Sequence, residues 1–259
     1  MPVDMFASTF LNKLRSIQMP DEDFTKDGFI RDEEVWEEHF SAWRGVFDGI
    51  CSINHTAGYG LPSYWDFYDL LKTSYGKHEK SGRFLRYFEE PLLIGMKHRV
   101  WLWYESGMAE THLYCCITDA IDDNMKCGVV AYDARLDWKH KCDLMVLIGG
   151  RPFIVDSFFG KMEGRDHILM RRGEVERETK RNTMESSHWG HVLENEVPHL
   201  RIVRNEWEGR SVNGVRLFSN RSIDALLMEL YDAVDISPDI RHYISGHPPT
   251  PCQLSDCGV

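Results

Sequence analysis

Residues Cys142–Phe159 read CDLMVLIGGRPFIVDSFF. Two runs of β-branched and aromatic residues flank Gly149-Gly150. That pattern predicts a hairpin with a two-residue turn, in which the turn positions need φ > 0 and glycine supplies it. With those glycines at the turn, Ile148 faces Arg151 and Val146 faces Phe153. By the same register Asp143 faces Asp156. Two carboxylates opposite each other on one face of a sheet repel. A fold that keeps them there wants a cation, a shared proton or a nearby base. A turn shifted by one residue would separate them, and each could instead end its strand in solvent or pair with Lys141 or Arg151.

Outward from this hairpin the chain reads as a mixed α/β protein. Upstream, a helix is expected over 79–96, with Phe84, Leu85, Phe88 and Leu92 in period and Pro91 able to end it early. Arg99–Tyr104 (RVWLWY) is a strand candidate. Thr111–Thr118 and Cys127–Ala131 are two more, with Asp119–Asn124 as the turn between them. Downstream come a polar helix over 174–186, a strand over His199–Arg204, a short strand over Val212–Phe218, and a helix capped by Ser222 that runs to about 234. The N-terminal part is helical and aromatic. Phe6, Phe10, Leu14 and Ile17 share a helical face over 4–17. Asp32 can cap a helix over 33–51, and Ser63 can cap one through Tyr75. The expected division is a helical lobe (1–75), an α/β domain (76–236) and a Pro-rich tail (237–259). A mixed central sheet flanked by helices is the natural packing.

Composition narrows the function classes. The 259 residues carry a net charge of −11, which argues against broad charge-driven binding to nucleic acid or anionic membrane. The charge is uneven. Residues 1–50 hold eleven acids against five bases, so the N-terminal lobe is a candidate surface for a protein partner. Arg165, Arg171, Arg172, Arg177 and Arg181 form a local basic stretch suited to nucleic acid, or else a solvated helix face laced with i,i+4 pairs. No run of about 18 apolar residues exists, so no membrane span is expected, and the N-terminus lacks the features of a secretory signal. Seven irregularly spaced Cys do not resemble a disulfide framework and favour a cytoplasmic setting. The oligomeric state is not legible.

The order helix, strand, strand, strand, helix, strand, with Asp143 starting the second core strand and Asp156-Ser-Phe158 in the third, resembles the PD-(D/E)xK nuclease superfamily. The resemblance covers roughly 76–205 and implies the αβββαβ, restriction-endonuclease-like fold. It also implies Mg²⁺ (or Mn²⁺) as cofactor, held by Asp143 and Asp156, with Glu79 as the helix-borne acid completing the site and phosphodiester hydrolysis as the reaction. The family's third strand carries a Lys two residues after the acid, where this chain has Phe158. Lys161 and Lys180 are the candidates for a displaced lysine, and Arg165 could supply the charge instead. Without such a cation the domain would bind nucleic acid without cutting it, or act as a non-catalytic adaptor on a degenerate nuclease-like fold.

Other constellations are weaker. Cys127, His140 and Cys142, or His247, Cys252 and Cys257, suggest Zn²⁺, but their spacing fits no common structural site. Ser187, His188 and His191 lack a nucleophile elbow. No Gly-rich phosphate loop is present. Cys115-Cys116 reads as one core and one exposed strand position, and Tyr59 as an exposed aromatic in a loop.

Overall fold

A computed structural model of the chain describes residues 7–21, 61–77, 85–124, 128–132, 143–158, 197–203 and 210–234. Its elements are α1 (Ala7–Ser16), α2 (Tyr64–Lys77), α3 (Leu93–Asn124), β1 (Gly128–Ala131), β2 (Leu144–Ile148), β3 (Arg151–Phe158), β4 (His199–Val203), β5 (Arg210–Val212), β6 (Val215–Leu217) and α4 (Asn220–Ala233). The chain forms two compact units. One comprises Met1–Ser8, Leu113–Arg210 and Phe218–Val259; the other comprises Thr9–His112 and Ser211–Leu217.

The first unit is built on a four-stranded mixed sheet in the order β1-β2-β3-β4. β1, β2 and β3 run antiparallel, and β3 pairs with β4 in parallel. The expected hairpin holds in register: Ile148 pairs with Arg151, Val146 with Phe153 and Leu144 with Val155. Gly149 (φ 55°) and Gly150 (φ 79°) make the turn. Such angles on both turn residues match the right-handed twist of the strands, and β-carbons there would be strained.

The two sheet faces differ in chemistry. Val130, Leu144, Val146, Ile148, Phe153, Val155, Leu200 and Ile202 are all buried and form the core face. The C-terminal part of α3 covers it closely. A β-carbon on Gly128 would lie 2.5 Å from Ile121 Cγ2 and 3.0 Å from the Leu147 carbonyl, so any side chain there would force its neighbours to shift. α4 lies against β4, with Ile223, Leu226, Leu227, Leu230 and Tyr231 buried. The Tyr231 hydroxyl donates to the Ala120 carbonyl (3.0 Å). Arg151 donates to the Ala233 carbonyl (3.0 Å), placing a cation at the negative end of the helix dipole. Ser219, three residues before the expected Ser222, is the N-cap: its Oγ accepts from the Ser222 N–H (3.1 Å).

The second unit packs α2 and the N-terminal part of α3 around aromatic rings. Tyr64, Phe67 and Tyr104 are fully buried. Tyr64 and Tyr104 meet edge-on with centroids 6.0 Å apart. Their hydroxyls are not wasted: Tyr64 donates to the Lys97 carbonyl and Tyr104 to the Pro62 carbonyl, each at 2.9 Å. Ser63 caps α2 as expected, with reciprocal bonds to Asp66. The β5–β6 hairpin turns at Asn213-Gly214. The Asn213 amide donates to the carbonyls of Leu14 (2.9 Å) and Ile17 (2.7 Å), closing the C-terminal end of α1. Glu105, 1 % exposed, accepts from Arg216 through the backbone N–H (2.9 Å), Nε (2.6 Å) and Nη2.

The expected strands at Arg99–Tyr104 and Thr111–Thr118 are wrong, as is the turn at Asp119–Asn124: all three lie in the 32-residue helix α3. The aromatic and β-branched residues there favour a strand locally. The helix wins because it buries Met96, Val100, Tyr104 and Met108 along one stripe and then, from Thr111 to Ile121, nearly every side chain. A helix buried on all sides shows no apolar stripe in sequence. Thr111 and Thr118 satisfy their hydroxyls on the carbonyls of Gly107 and Tyr114. Cys115 and Cys116 are both buried rather than split between core and surface. Burial, and then Asp119, push the Cys116 thiol far up. The expected helix over 79–96 is replaced in its described part by a 3₁₀ turn at 85–88 ahead of α3. The helix and first strand that precede the hairpin are therefore α3 and β1.

Candidate functional site

The second sheet face carries the polar residues. Strand alternation puts Met145, Ile154, Asp156, His199 and Arg201 on it, and the parallel register makes Asp156 and Arg201 direct partners. Asp143 immediately precedes β2, in a bend just outside the ladder, whose last pair on that side is Leu144 with Val155.

Asp156 is 4 % exposed, so it does not end its strand in solvent. Its Oδ2 lies 3.2 Å from His199 Nδ1 and 3.9 Å from Arg201 Nε. Both basic residues come from β4, and their side chains are 34 % and 46 % exposed. Asp156 Oδ1 is buried and has no hydrogen-bond partner among the described residues. Leaving a buried carboxylate oxygen unmatched costs free energy, about 1–3 kcal/mol for an ordinary polar group and more for a charge. Asp143 is 9 % exposed, and its Oδ2 accepts the Ser157 N–H at 2.6 Å. That charge-assisted bond fixes the first acid against the strand that bears the second.

The donor set suits a hard divalent cation. Magnesium commonly takes one or two carboxylates and completes its shell with water and substrate phosphate. Asp143, just before β2, and Asp156 on β3 supply two carboxylates, one of them with an oxygen unmatched among the described residues. No group of three His, Cys, Asp or Glu side chains converges as a metal site among the described residues. Glu79, Lys161, Lys180, Arg165, Arg171, Arg172, Arg177 and Arg181 lie outside the described residues, as do Tyr59, the acidic residues 22–51 and the Cys/His pairs considered for zinc. Phe158 ends β3.

Sequence reading missed His199 and Arg201. Their only local signal is the alternation in His-Leu-Arg-Ile, which marks one polar and one apolar face. Nothing local says which strand β4 joins. No helix among the described residues is long and apolar enough to cross a membrane. No known protein family, curated protein or solved structure matches the chain.

Proposed function

We propose that the chain is a metal-dependent, nuclease-like protein that hydrolyses phosphodiester bonds, built on the PD-(D/E)xK plan. The observation that carries this reading is the buried Oδ1 of Asp156, unmatched among the described residues, on the strand next to Asp143. Supporting it is the order α3, β1, β2, β3, then β4 parallel to β3. A parallel neighbour requires a crossover, usually helical, and the connection from 159 to 198 has ample length for one. The restriction-endonuclease-like fold belongs to the same proposal.

Asp143 and Asp156 would hold Mg²⁺ or Mn²⁺. The bound ion would lower the pKa of a water and neutralise charge on the phosphate. The protein's own residues do the positioning. The Ser157 N–H orients the Asp143 carboxylate, and His199 holds Oδ2 of Asp156 so that Oδ1 is left for the ion.

A second reading is an adaptor on a degenerate form of this fold. Phe158 in place of Lys favours it, and so does the Ser157 N–H bond, which can serve simply to end the ladder. Calorimetric titration with Mn²⁺ separates the two, run on wild type, Asp143→Ala and Asp156→Ala, with cleavage of mixed DNA and RNA assayed on the same samples. Binding and cleavage that vanish together in both variants establish the nuclease. A wild type that neither binds nor cuts leaves the adaptor.

A further inference from the structure

We propose that Asn213 is a site of spontaneous covalent modification, and that its conversion to aspartate or isoaspartate releases the C-terminal end of α1 for good. The inference is independent of the phosphodiester reading above. Asn213-Gly214 is the only Asn-Gly dipeptide in the chain. The chemistry needs no cofactor. The Gly214 backbone nitrogen attacks Cγ of Asn213, and the side-chain nitrogen leaves as ammonia with the proton of that N–H. A five-membered succinimide ring remains. Water then opens the ring at either carbonyl, giving aspartate or isoaspartate. One ammonia leaves, one water enters, and nothing is oxidised or reduced. Glycine suits the attacking position because it has no β-carbon to crowd the nitrogen. Both turn residues are exposed, and among the described residues no atom lies within 4 Å of the place a β-carbon on Gly214 would take.

The structure makes this asparagine matter. α1 has ten residues, too few to hold a helix in water unaided. The last carbonyls of any helix lack partners within it. Here the Asn213 amide donates to the carbonyl of Leu14, in the last turn (2.9 Å), and to that of Ile17, just past the helix (2.7 Å). The left-handed backbone of Asn213 (φ 51°) fits the two-residue turn, and asparagine tolerates it. While both bonds hold, the amide is pinned, and ring closure waits for the clasp to open. After hydrolysis the clasp cannot close again. A carboxylate accepts hydrogen bonds and donates none, so both bonds are lost. It also sets a negative charge against two carbonyl oxygens at the negative end of α1. The isoaspartate product further lengthens the backbone of a two-residue turn. Phe10 and Leu14, both fully buried, are what a released α1 uncovers.

The test uses the full-length protein. Wild type is held at mildly alkaline pH, folded and in parallel in urea, and peptide mapping follows residue 213. Conversion is expected in both samples, slower by about 30-fold in the folded one, because two hydrogen bonds of ordinary net strength must open first. Hydrogen exchange of the amides from Leu14 to Ile17 then reads the state of the clasp. Asn213→Gly keeps the turn, as Gly149-Gly150 does, and drops the donors. Exchange in that variant is expected to rise by about 30-fold, the same two bonds. Asn213→Asp and the converted wild type are expected to rise at least as much. Equal conversion rates in the folded and urea samples overturn the proposal. So does a folded sample still unconverted after about a hundred times the half-time in urea, well beyond the slowing that two bonds impose. Wild-type exchange in Asn213→Asp also overturns it, since Lys13 or Arg15 in the last turn of α1 would then have replaced the clasp. If Asn213→Asp does not fold, wild-type exchange in the converted protein overturns the proposal instead.

Discussion

Asp156 on β3 and Arg201 on β4 face each other across the parallel pair, with Nε 3.9 Å from Oδ2. His199, two residues earlier on the same strand, reaches the same oxygen at 3.2 Å. One oxygen of a buried carboxylate is thus served by two basic groups and the other, among the described residues, by none. That asymmetry is the most chemically specific feature of the sheet.

It leads to a prediction about metal and stability. A ligand that binds only the folded state stabilises it by about 2.7 kcal/mol at a hundred times its Kd. Saturating Mn²⁺ should therefore raise the Tm of wild type by several degrees. Asp156→Asn should show no metal-dependent shift, because the amide carries no charge for the ion. An equal shift in both proteins would place any bound metal elsewhere.

Glu105 and Arg216 form a pair of unequal burial, 1 % against 43 % exposed. Removing Arg216 leaves a buried carboxylate without its main donors, whereas removing Glu105 leaves a guanidinium that water can reach. Arg216→Met should therefore cost more, about 3–5 kcal/mol, and Glu105→Gln about 1–3 kcal/mol. Urea denaturation of the two variants measures this order, and the reverse order would contradict it.

Gly128 sits where α3 meets the core face of the sheet. Gly128→Ala should destabilise by about 1–3 kcal/mol, the usual range for overpacking. Adding Ile121→Ala removes the crowding Cγ2 but leaves the Leu147 carbonyl 3.0 Å from the new β-carbon. The double variant should recover only part of the loss expected from summing the two single changes. Full additivity in thermal melts would show that the two residues do not clash.

Asp224 on α4 has its carboxyl pushed above the ordinary value of 3.8 by burial. The folded state then holds this proton more tightly than the unfolded chain does. Stability from this group is present at low pH and falls as pH rises from the unfolded value through the folded one. Asp224→Asn lacks that slope, so the difference in urea midpoint, variant minus wild type, should increase over this window and then level off. A difference that decreases with pH would reverse the sign of the shift.

The hairpin was legible in the sequence because everything that fixes it is local. Gly149-Gly150 demands the turn, the period of two assigns the faces, and together they set the register. α1, α2 and α4 were legible for a similar reason, since each has one apolar stripe, and α2 has a nearby cap in Ser63. The helix α3 was not. Its Val, Trp, Tyr and Ile residues have local β preference, and from Thr111 to Ile121 burial on nearly all sides erases the period by which a helix is recognised. Ser219 displaced Ser222 as a cap because the backbone turns one helical turn earlier than the apolar stripe alone indicates.

The basic half of the site was decided by tertiary structure alone. Forty-three positions separate Asp156 from His199, and no residue in either strand specifies the other as its parallel neighbour. Glu105 and Arg216, 111 positions apart, meet on the same terms. Turn chemistry and periodicity act over a few residues, and they set the hairpin and its register. Bringing β4 beside β3 depends on burying Leu200 and Ile202 in a shared core, and that packing is what sets His199 and Arg201 against Asp156.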